Sequence, residues 1–348
     1  MFTNPFTTLD QLPRVELAHL PTPIESLLNL SAYLGGPEIF IKRDDQTGLA
    51  TGGNKARKLE FLIAQALSHE ADCVITAGST QSNHARQTAA AAARYGLACH
   101  LVLYAPNGEP PTDLRGNLLL DRILGATIHW TDERAPYSVT IAQVEAELRD
   151  AGHYPFIIPY GGSNPFGVMG YAVAMREFAA QARGLPKFDT HVFGSSSGGT
   201  QAGMVLGAYL TRLTEPTITT DILGISIDSP AAELAPRVTR LAMAAASELD
   251  LEADDLEQSL AALVEINDDY LGGGYAVVGD AERAAIRLLA QHEGILIDPV
   301  YTGRAFAGLI DLIRRGVFTR GQRVLFWHTG GSAALFAFAD ALSLEDES

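Results

Sequence analysis

Short apolar runs alternate with longer helical segments along most of the chain. The first clear pair is an apolar strand predicted at 73–77 and an Ala-rich helix predicted at 83–95, which Gly96 is placed to end. The same alternation predicts strands at 101–104, 191–193, 222–227 and 324–327, a helix near 114–124 and a last helix from about Ser332. Alternation of this kind is typical of α/β folds with mostly parallel sheets.

The length of 348 residues predicts two lobes, since one domain takes on the order of 100–200 residues. No linker separates the lobes by composition. The strongest interruption of the pattern is the segment 159–165, where two glycines and two prolines exclude regular structure.

Composition and charge narrow the function classes. Hydrophobic residues make up 47% of the chain, which is ample for a core, and only the acidic end at 344–348 is predicted to be disordered. The net charge of −16 argues against nucleic acid or an anionic membrane as a partner. Small anions remain possible ligands, because a local group of backbone N–H donors can bind them.

The sequence also predicts a cytoplasmic protein. Its first five residues lack the basic and apolar regions of a signal peptide, and no apolar run reaches the ~18 residues of a membrane helix. Both cysteines, Cys73 and Cys99, lie in apolar runs and are expected to be buried core residues. Neither a disulfide framework nor a metal site is indicated.

A lysine follows paired glycines in the segment 52–55, at the start of a predicted helix. A buried amine at this place, Lys55, can lose its charge and become a nucleophile toward a carbonyl group. Most lysines at a helix start are solvated charges, so this segment alone does not establish a catalytic lysine.

The loop 78–84 joins the first strand to the Ala-rich helix. Ser82 is placed to cap that helix, and free backbone N–H groups there suit a substrate carboxylate. The alternative is a plain helix cap followed by a solvated His84.

The segment 194–200 is rich in glycine and hydroxyl side chains and also joins a strand to a helix. Its backbone N–H groups and hydroxyls are suited to hold a phosphate. The same residues fit the G-x-S-x-G turn of α/β-hydrolases around Ser196, and Asp298 and His328 follow in the chain order of a catalytic triad. A phosphate loop and a serine hydrolase therefore both remain open.

Taken together with 328–331 after the last strand, these segments resemble the D-cysteine desulfhydrase and 1-aminocyclopropane-1-carboxylate (ACC) deaminase family of pyridoxal-phosphate (PLP) enzymes. The most specific matches are 52–55, 81–84 and the Asp-Pro-Val-Tyr segment 298–301. The resemblance implies the two-lobed fold type II of tryptophan synthase β, with a smaller lobe at 57–160 and a larger PLP-binding lobe from 1–56 and 161–348. It also implies a homodimer.

The resemblance implies a role for each matching residue. Lys55 corresponds to the lysine that holds PLP covalently, Asn83 to the partner of its ring hydroxyl, and Ser82 to a substrate-facing serine. The phosphate is expected at Ser197, Gly198, Gly199 and Thr200. The active-site wall is expected to contain Tyr275 and Tyr301, and the pyridine nitrogen is expected to lie near Thr302 and Thr329.

Two threonines distinguish this chain from the ACC deaminases of the family, which carry Glu at the position of Thr302 and an apolar residue at that of Thr329. Without an acid beside it, the pyridine nitrogen is not held protonated. This favours α,β-elimination of thiolate from D-cysteine, which gives pyruvate, ammonia and sulfide, over opening of a cyclopropane ring. The alternatives, in order, are L-cysteate sulfo-lyase and ACC deaminase, with the serine hydrolase around Ser196 as an alternative of another class.

Overall fold

The computed structural model describes residues 5–215 and 220–342, which form two β-sheets surrounded by helices. The predictions made for the first four residues and for the acidic segment 344–348 lie outside this part of the chain. Within it, no helix is both long enough and apolar enough to span a membrane.

The larger sheet has six strands in the order β1-β2-β10-β7-β8-β9, and the smaller has four in the order β5-β4-β3-β6. All neighbouring strands are parallel except β1 and β2. The strands are β1 Ile24–Ser26, β2 Glu38–Lys42, β3 Cys73–Ser79, β4 Ala98–Tyr104, β5 Thr127–Thr131, β6 Pro155–Ile157, β7 Thr190–Ser195, β8 Asp221–Ser226, β9 Glu265–Asn267 and β10 Arg323–Trp327.

Thirteen α-helices fall within the described part of the chain and cover the sheets. They are α1 Thr7–Gln11, α2 Leu28–Leu34, α3 Lys55–Ser68, α4 Asn83–Arg94, α5 Gly116–Ile123, α6 Tyr137–Asp150, α7 Pro165–Ala182, α8 Gly199–Thr214, α9 Ala231–Ser247, α10 Leu256–Ala261, α11 Asp280–Glu293, α12 Thr302–Arg314 and α13 Ala339–Leu342. The predicted α/β class with parallel-rich sheets is confirmed.

Most of the predicted elements are found within a few residues of their expected ends. The run at 73–77 is the buried core of β3, since a central parallel strand is covered on both faces. The Ala-rich helix is α4, and Gly96 after it has a φ of 69°, which favours glycine. Cys73 and Cys99 are free and buried, as expected. The prediction of one last helix from Ser332 is wrong, because a 3₁₀ turn at Ser332–Ala337 precedes the short α13.

The two sheets belong to different stretches of the chain. All four strands of the smaller sheet lie between residues 73 and 157, inside the predicted smaller lobe, whose boundaries at 57–160 stay a prediction. Helix α3 packs against α7 and also against α4. The carboxyl ends of β3, β7 and β10 lead into the loops 78–84, 194–200 and 328–331, which meet at one pocket.

A buried group of charged side chains fixes the start of α3. The Arg57 guanidinium donates to both carboxylate oxygens of Asp44, at 2.9 and 2.8 Å, and to both of Glu177, at 2.9 and 3.0 Å. Lys42 also donates to Glu177, at 2.5 Å, and the Tyr171 hydroxyl donates to Asp44, at 2.6 Å. Since Arg57 lies two residues after Lys55, these bonds fix the position of the helix start and therefore of Lys55.

We expect Arg57→Met to lower the free energy of unfolding by about 3–5 kcal/mol, because it leaves the buried Asp44 carboxylate without its hydrogen-bonded cation. The matched control is Arg149→Met, which removes an exposed ion pair with Glu145 and should cost less than about 1 kcal/mol. Urea unfolding of both proteins without cofactor measures the difference. Equal effects of the two substitutions would contradict the assigned role of Arg57.

Candidate active site

Lys55 begins α3 at the end of a loop that only glycine can form. A Cβ at Gly52, where φ is 72°, would lie 1.8 Å from the Asp45 carbonyl oxygen. The half-buried Lys55 side chain reaches the opposite wall, where its Nζ donates to the Gly161 carbonyl at 3.1 Å. Burial lowers the pKa of Lys55 to about 8, so part of the amine population is uncharged and nucleophilic near neutral pH.

Lys58 lies one helical turn after Lys55 and is fully buried. Its Nζ donates to the same Gly161 carbonyl, at 3.2 Å. Burial, and secondly the neighbouring Lys55, hold the pKa of Lys58 well below its usual range. A buried amine in this state has no anionic partner among the described residues, and a bound phosphate would restore its charge. From the sequence, Lys58 is only a second lysine one helical turn after Lys55 with no role in the site, although its spacing of three positions places it on the same helix face.

The phosphate loop predicted at Ser197–Thr200 lies beside Lys58. A Cβ on Gly199 would come within 3.0 Å of Lys58 Nζ, and Gly198 has a φ of 85°. Gly199 also begins α8, a helix of 16 residues, whose first N–H groups have no partner inside the helix. The end of such a helix favours an anion, so this loop and Lys58 together are suited to a phosphate.

Hydroxyl groups complete the rim of this loop. Ser163 donates to Ser197 Oγ at 2.8 Å, and Asn54 Nδ2 donates to Thr200 Oγ1 at 3.1 Å. Ser195, at the end of β7, has a buried hydroxyl that lines the pocket and finds no hydrogen-bond partner in the described part of the chain. A polar ligand is therefore expected to meet it.

Ser82 and Asn83 both line the pocket from the start of α4. The Ser82 hydroxyl accepts a hydrogen bond from Ala85 N at 3.1 Å, so it caps the helix and also borders the pocket. His84 is not solvated, which corrects that part of the cap interpretation. It is buried, lines the same pocket, and its Nε2 lies 2.8 Å from Thr76 Oγ1, because the strand β3 and the loop around Gly162 enclose it.

Tyr275 and Tyr301 are brought together although 26 positions separate them. Their hydroxyl oxygens lie 2.7 Å apart, and that of Tyr275 is also 3.2 Å from Ser79 Oγ. Burial raises the pKa of both phenols, so both are protonated at neutral pH. The pair therefore forms a neutral hydrogen-bonding wall, of which Tyr301 lines the pocket.

Thr302 and Thr329 occupy different surroundings. The Thr302 hydroxyl is fully buried, donates to Asp298 Oδ1 at 2.6 Å and accepts from Asp298 N at 2.9 Å. The carboxylate of Asp298 is also occupied by the N–H groups of three following residues, which it caps at the start of α12. Only Thr329 of the two threonines lines the pocket. The proposed contact of Thr302 with the pyridine nitrogen stays a prediction.

The three residues of the hydrolase interpretation are not arranged as a triad. Ser196 donates to Asp228 Oδ2 at 2.5 Å and has no imidazole partner among the described residues. His328 Nε2 instead lies 2.9 Å from the Leu296 carbonyl, and Asp298 holds the turn before α12. The histidine that would activate Ser196 in a catalytic triad is therefore not beside it.

The site as a whole suits PLP. One pocket of about 640 Å³, including its opening to solvent, contains the amine of Lys55, the phosphate loop, the start of α4 and Thr329. Further lining residues, which lie in the predicted segments but were given no role of their own, are Asn54, Tyr160, Gly161, Gly194, Ser195 and Gly330. The free helix N-terminus, the uncompensated Lys58 and the unpartnered Ser195 hydroxyl all call for a polar anionic group, which the phosphate of PLP supplies.

Comparison with known proteins agrees with this geometry. Residues 15–330 match the family model described as pyridoxal-phosphate dependent enzyme. A D-cysteine desulfhydrase of Klebsiella pneumoniae (strain 342) is 42% identical over 332 residues, which cover 95% of this chain and 97% of that protein.

Solved structures extend the comparison. The crystal structure of an ACC deaminase homologue aligns with a TM-score of 0.85 and 38% identity, over 98% of this chain and 99% of the other. Threonine deaminase isoform 2 from Solanum lycopersicum aligns with a TM-score of 0.65 and 17% identity, over 97% of this chain and 86% of the other. This second likeness concerns the fold alone.

Proposed function

The chain belongs to the pyridoxal-phosphate dependent enzymes, and we propose that it is a lyase that converts D-cysteine and water to pyruvate, ammonia and sulfide. The observation that carries the proposal is the position of Lys55, whose amine shares a pocket with the phosphate loop at Ser197–Thr200. The full-length similarity to a D-cysteine desulfhydrase supports the choice of substrate. The homodimer implied by the family resemblance and the cytoplasmic location predicted from the sequence belong to the same proposal.

We propose that Lys55 holds the cofactor, with Lys58 and the phosphate loop on its phosphate, Asn83 at its ring hydroxyl and Thr329 at its ring nitrogen. When bound, PLP is the electron sink that stabilises negative charge at the substrate Cα. The protein supplies position and electrostatics around it. Thr329 is favoured over Thr302 for the nitrogen, because the Thr302 hydroxyl already donates its hydrogen bond to Asp298.

The substrate carboxylate is assigned to the N-terminus of α4. This helix has 12 residues, and its first N–H groups belong to Asn83 and His84, which both line the pocket. An anion bound there is stabilised by these donors and by the helix dipole. In this position the amino acid is held between α4 and Lys55, with the tyrosine pair close by.

In this arrangement Lys55 Nζ takes the proton from the substrate Cα, and the Cβ–S bond breaks with departure of the thiolate. Tyr301 and Tyr275 are neutral and can donate a hydrogen bond to the leaving sulfur. The released 2-aminoacrylate takes up one water and gives pyruvate and ammonia. Lys55 returns to its starting protonation state when its proton passes to the product or to solvent.

We expect the purified protein with PLP to release sulfide and pyruvate in equal amounts from D-cysteine. We expect Ser196→Ala to keep kcat within about threefold, because the Ser196 hydroxyl has no imidazole partner among the described residues and the proposed reaction gives it no nucleophilic role. A coupled assay for pyruvate measures both proteins. Loss of activity in Ser196→Ala, together with retention in Lys55→Ala, would revive the hydrolase interpretation.

A further inference from the structure

Arg86 is a buried cation behind the pocket that the proposed reaction does not use. It lies on α4 one turn after Asn83 and is fully buried. Its Nη1 donates to Asn83 Oδ1 at 2.8 Å and also to the Asn117 side-chain oxygen. Its Nη2 donates to the Gly52 carbonyl at 2.9 Å. One guanidinium thus joins the loop before Lys55 to the residue that faces the cofactor ring.

These contacts fix the orientation of the Asn83 carboxamide. A guanidinium has donors only, so the Asn83 atom that faces Arg86 must be the oxygen. Asn117 Nδ2 donates to that same oxygen at 3.1 Å and to the Gln81 carbonyl at 2.9 Å, which fixes the orientation of Asn117 as well. The Nδ2 group of Asn83 makes no hydrogen bond within the described residues, and Asn83 lines the pocket. Its N–H donors are therefore available to a ligand.

The charge behind Asn83 is not cancelled by a hydrogen-bonded carboxylate. Asp121 is the first acid that acts on Arg86, yet both of its carboxylate oxygens lack partners in the described part of the chain. Burial raises the pKa of Asp121 to about 8, whereas burial lowers that of Arg86 only to about 10. At neutral pH Arg86 is charged and Asp121 is mostly neutral. The smaller attraction comes from Asp298, whose carboxylate is occupied by the turn before α12.

We infer that Arg86 is a positioning residue, which holds the Asn83 amide with its N–H donors toward the pocket and so favours the ionised form of the cofactor's ring hydroxyl. The reason is that an N–H donor polarised by a buried cation stabilises an oxyanion, whereas a carboxamide turned the other way would present an oxygen to it. This inference rests on the proposed function only in that PLP is the ligand. It concerns the state of the bound cofactor and not the choice of substrate.

Arg86→Met tests the inference in the PLP-loaded protein. We expect the Kd for PLP to rise about tenfold, because the substitution removes the charged donor that orients Asn83. We also expect the pH at which half of the bound cofactor has its ring hydroxyl ionised, read from its absorption spectrum, to move upward. Arg86→Lys keeps the charge without the forked geometry and should restore part of both effects. Arg94→Met removes an exposed arginine at the end of the same helix and should change neither.

A double-mutant cycle with Asn83→Ala separates positioning from general support of the fold. If Arg86 acts through Asn83, Arg86→Met should change PLP affinity by less than about twofold in the Asn83→Ala background. Thermal unfolding of the cofactor-free proteins accounts for any loss of stability. Lower stability of both Arg86 variants with an unchanged cofactor spectrum, or equal effects of Arg86→Met with and without Asn83, would overturn the inference. Failure of the unsubstituted protein to bind PLP would overturn the proposed function as well.

Discussion

Lys55→Ala is expected to lower the turnover of D-cysteine by about four orders of magnitude or more, because it removes both the covalent anchor of the cofactor and the base at the substrate Cα. The overall fold should survive, since the buried group around Arg57 holds the start of α3 independently of the hydrogen bond from Lys55 to the Gly161 carbonyl. Pyruvate formation at saturating PLP measures the loss.

The neighbouring lysine provides the matched control. Lys58→Ala leaves the Lys55 amine in place, so it should weaken PLP binding and still support turnover when PLP is added in excess. An inactive Lys58→Ala beside an active Lys55→Ala would show that the roles of the two lysines are reversed.

D-cysteine is expected to exceed ACC in kcat/KM by about a hundredfold. This ratio corresponds to the free energy of one charge-assisted hydrogen bond, which is missing at the ring nitrogen. Thr302 and Thr329 offer no acid there, and the carboxylate of Asp298 is fully engaged by the start of α12. The ring nitrogen is then not held protonated, and the barrier for building negative charge at Cα stays high. Departure of a stable thiolate removes the negative charge from Cα as it forms. Opening of the cyclopropane ring removes this charge less directly.

A substrate panel separates the electronic argument from the shape of the pocket. Its members are D-cysteine, L-cysteine, β-chloro-D-alanine, L-cysteate and ACC, compared by kcat/KM. ACC as the best substrate would contradict the argument from the ring nitrogen. L-cysteate as the best substrate would leave that argument intact and change the assigned leaving group. A flat profile would mean that the pocket, not the ring nitrogen, sets specificity.

Local sequence patterns were sufficient to predict the elements that carry the site. The apolar run at β3 and the Ala-rich α4 follow from hydrophobicity, period and the glycine at 96, which are properties of neighbouring residues. The same holds for the position of the glycine-rich loop 194–200 between β7 and α8. The chain end from Ser332 was less predictable, because a short 3₁₀ turn and a broken helix share the same pattern.

Contacts between distant residues were not predictable from such patterns. Lys55 and Lys58 meet at the carbonyl of Gly161, more than a hundred positions away, and this contact places Lys58 beside the loop where we propose that the phosphate binds. The burial of His84 depends likewise on the loop around Gly162. No local pattern distinguishes Arg86 from other helical arginines. Its contact with Asn117 arises from the packing of α5 against α4. The family resemblance anticipated the tyrosine pair, which no local pattern indicates.

The most direct test of the account is to reduce the PLP-loaded protein with borohydride and to locate the modified lysine by peptide mass mapping. We expect the loaded protein to be yellow before reduction, and the phosphopyridoxyl group to be found on Lys55 in stoichiometric amount. The group on Lys58, or a protein that stays colourless and unmodified after incubation with PLP, would contradict the central claim that Lys55 carries the cofactor.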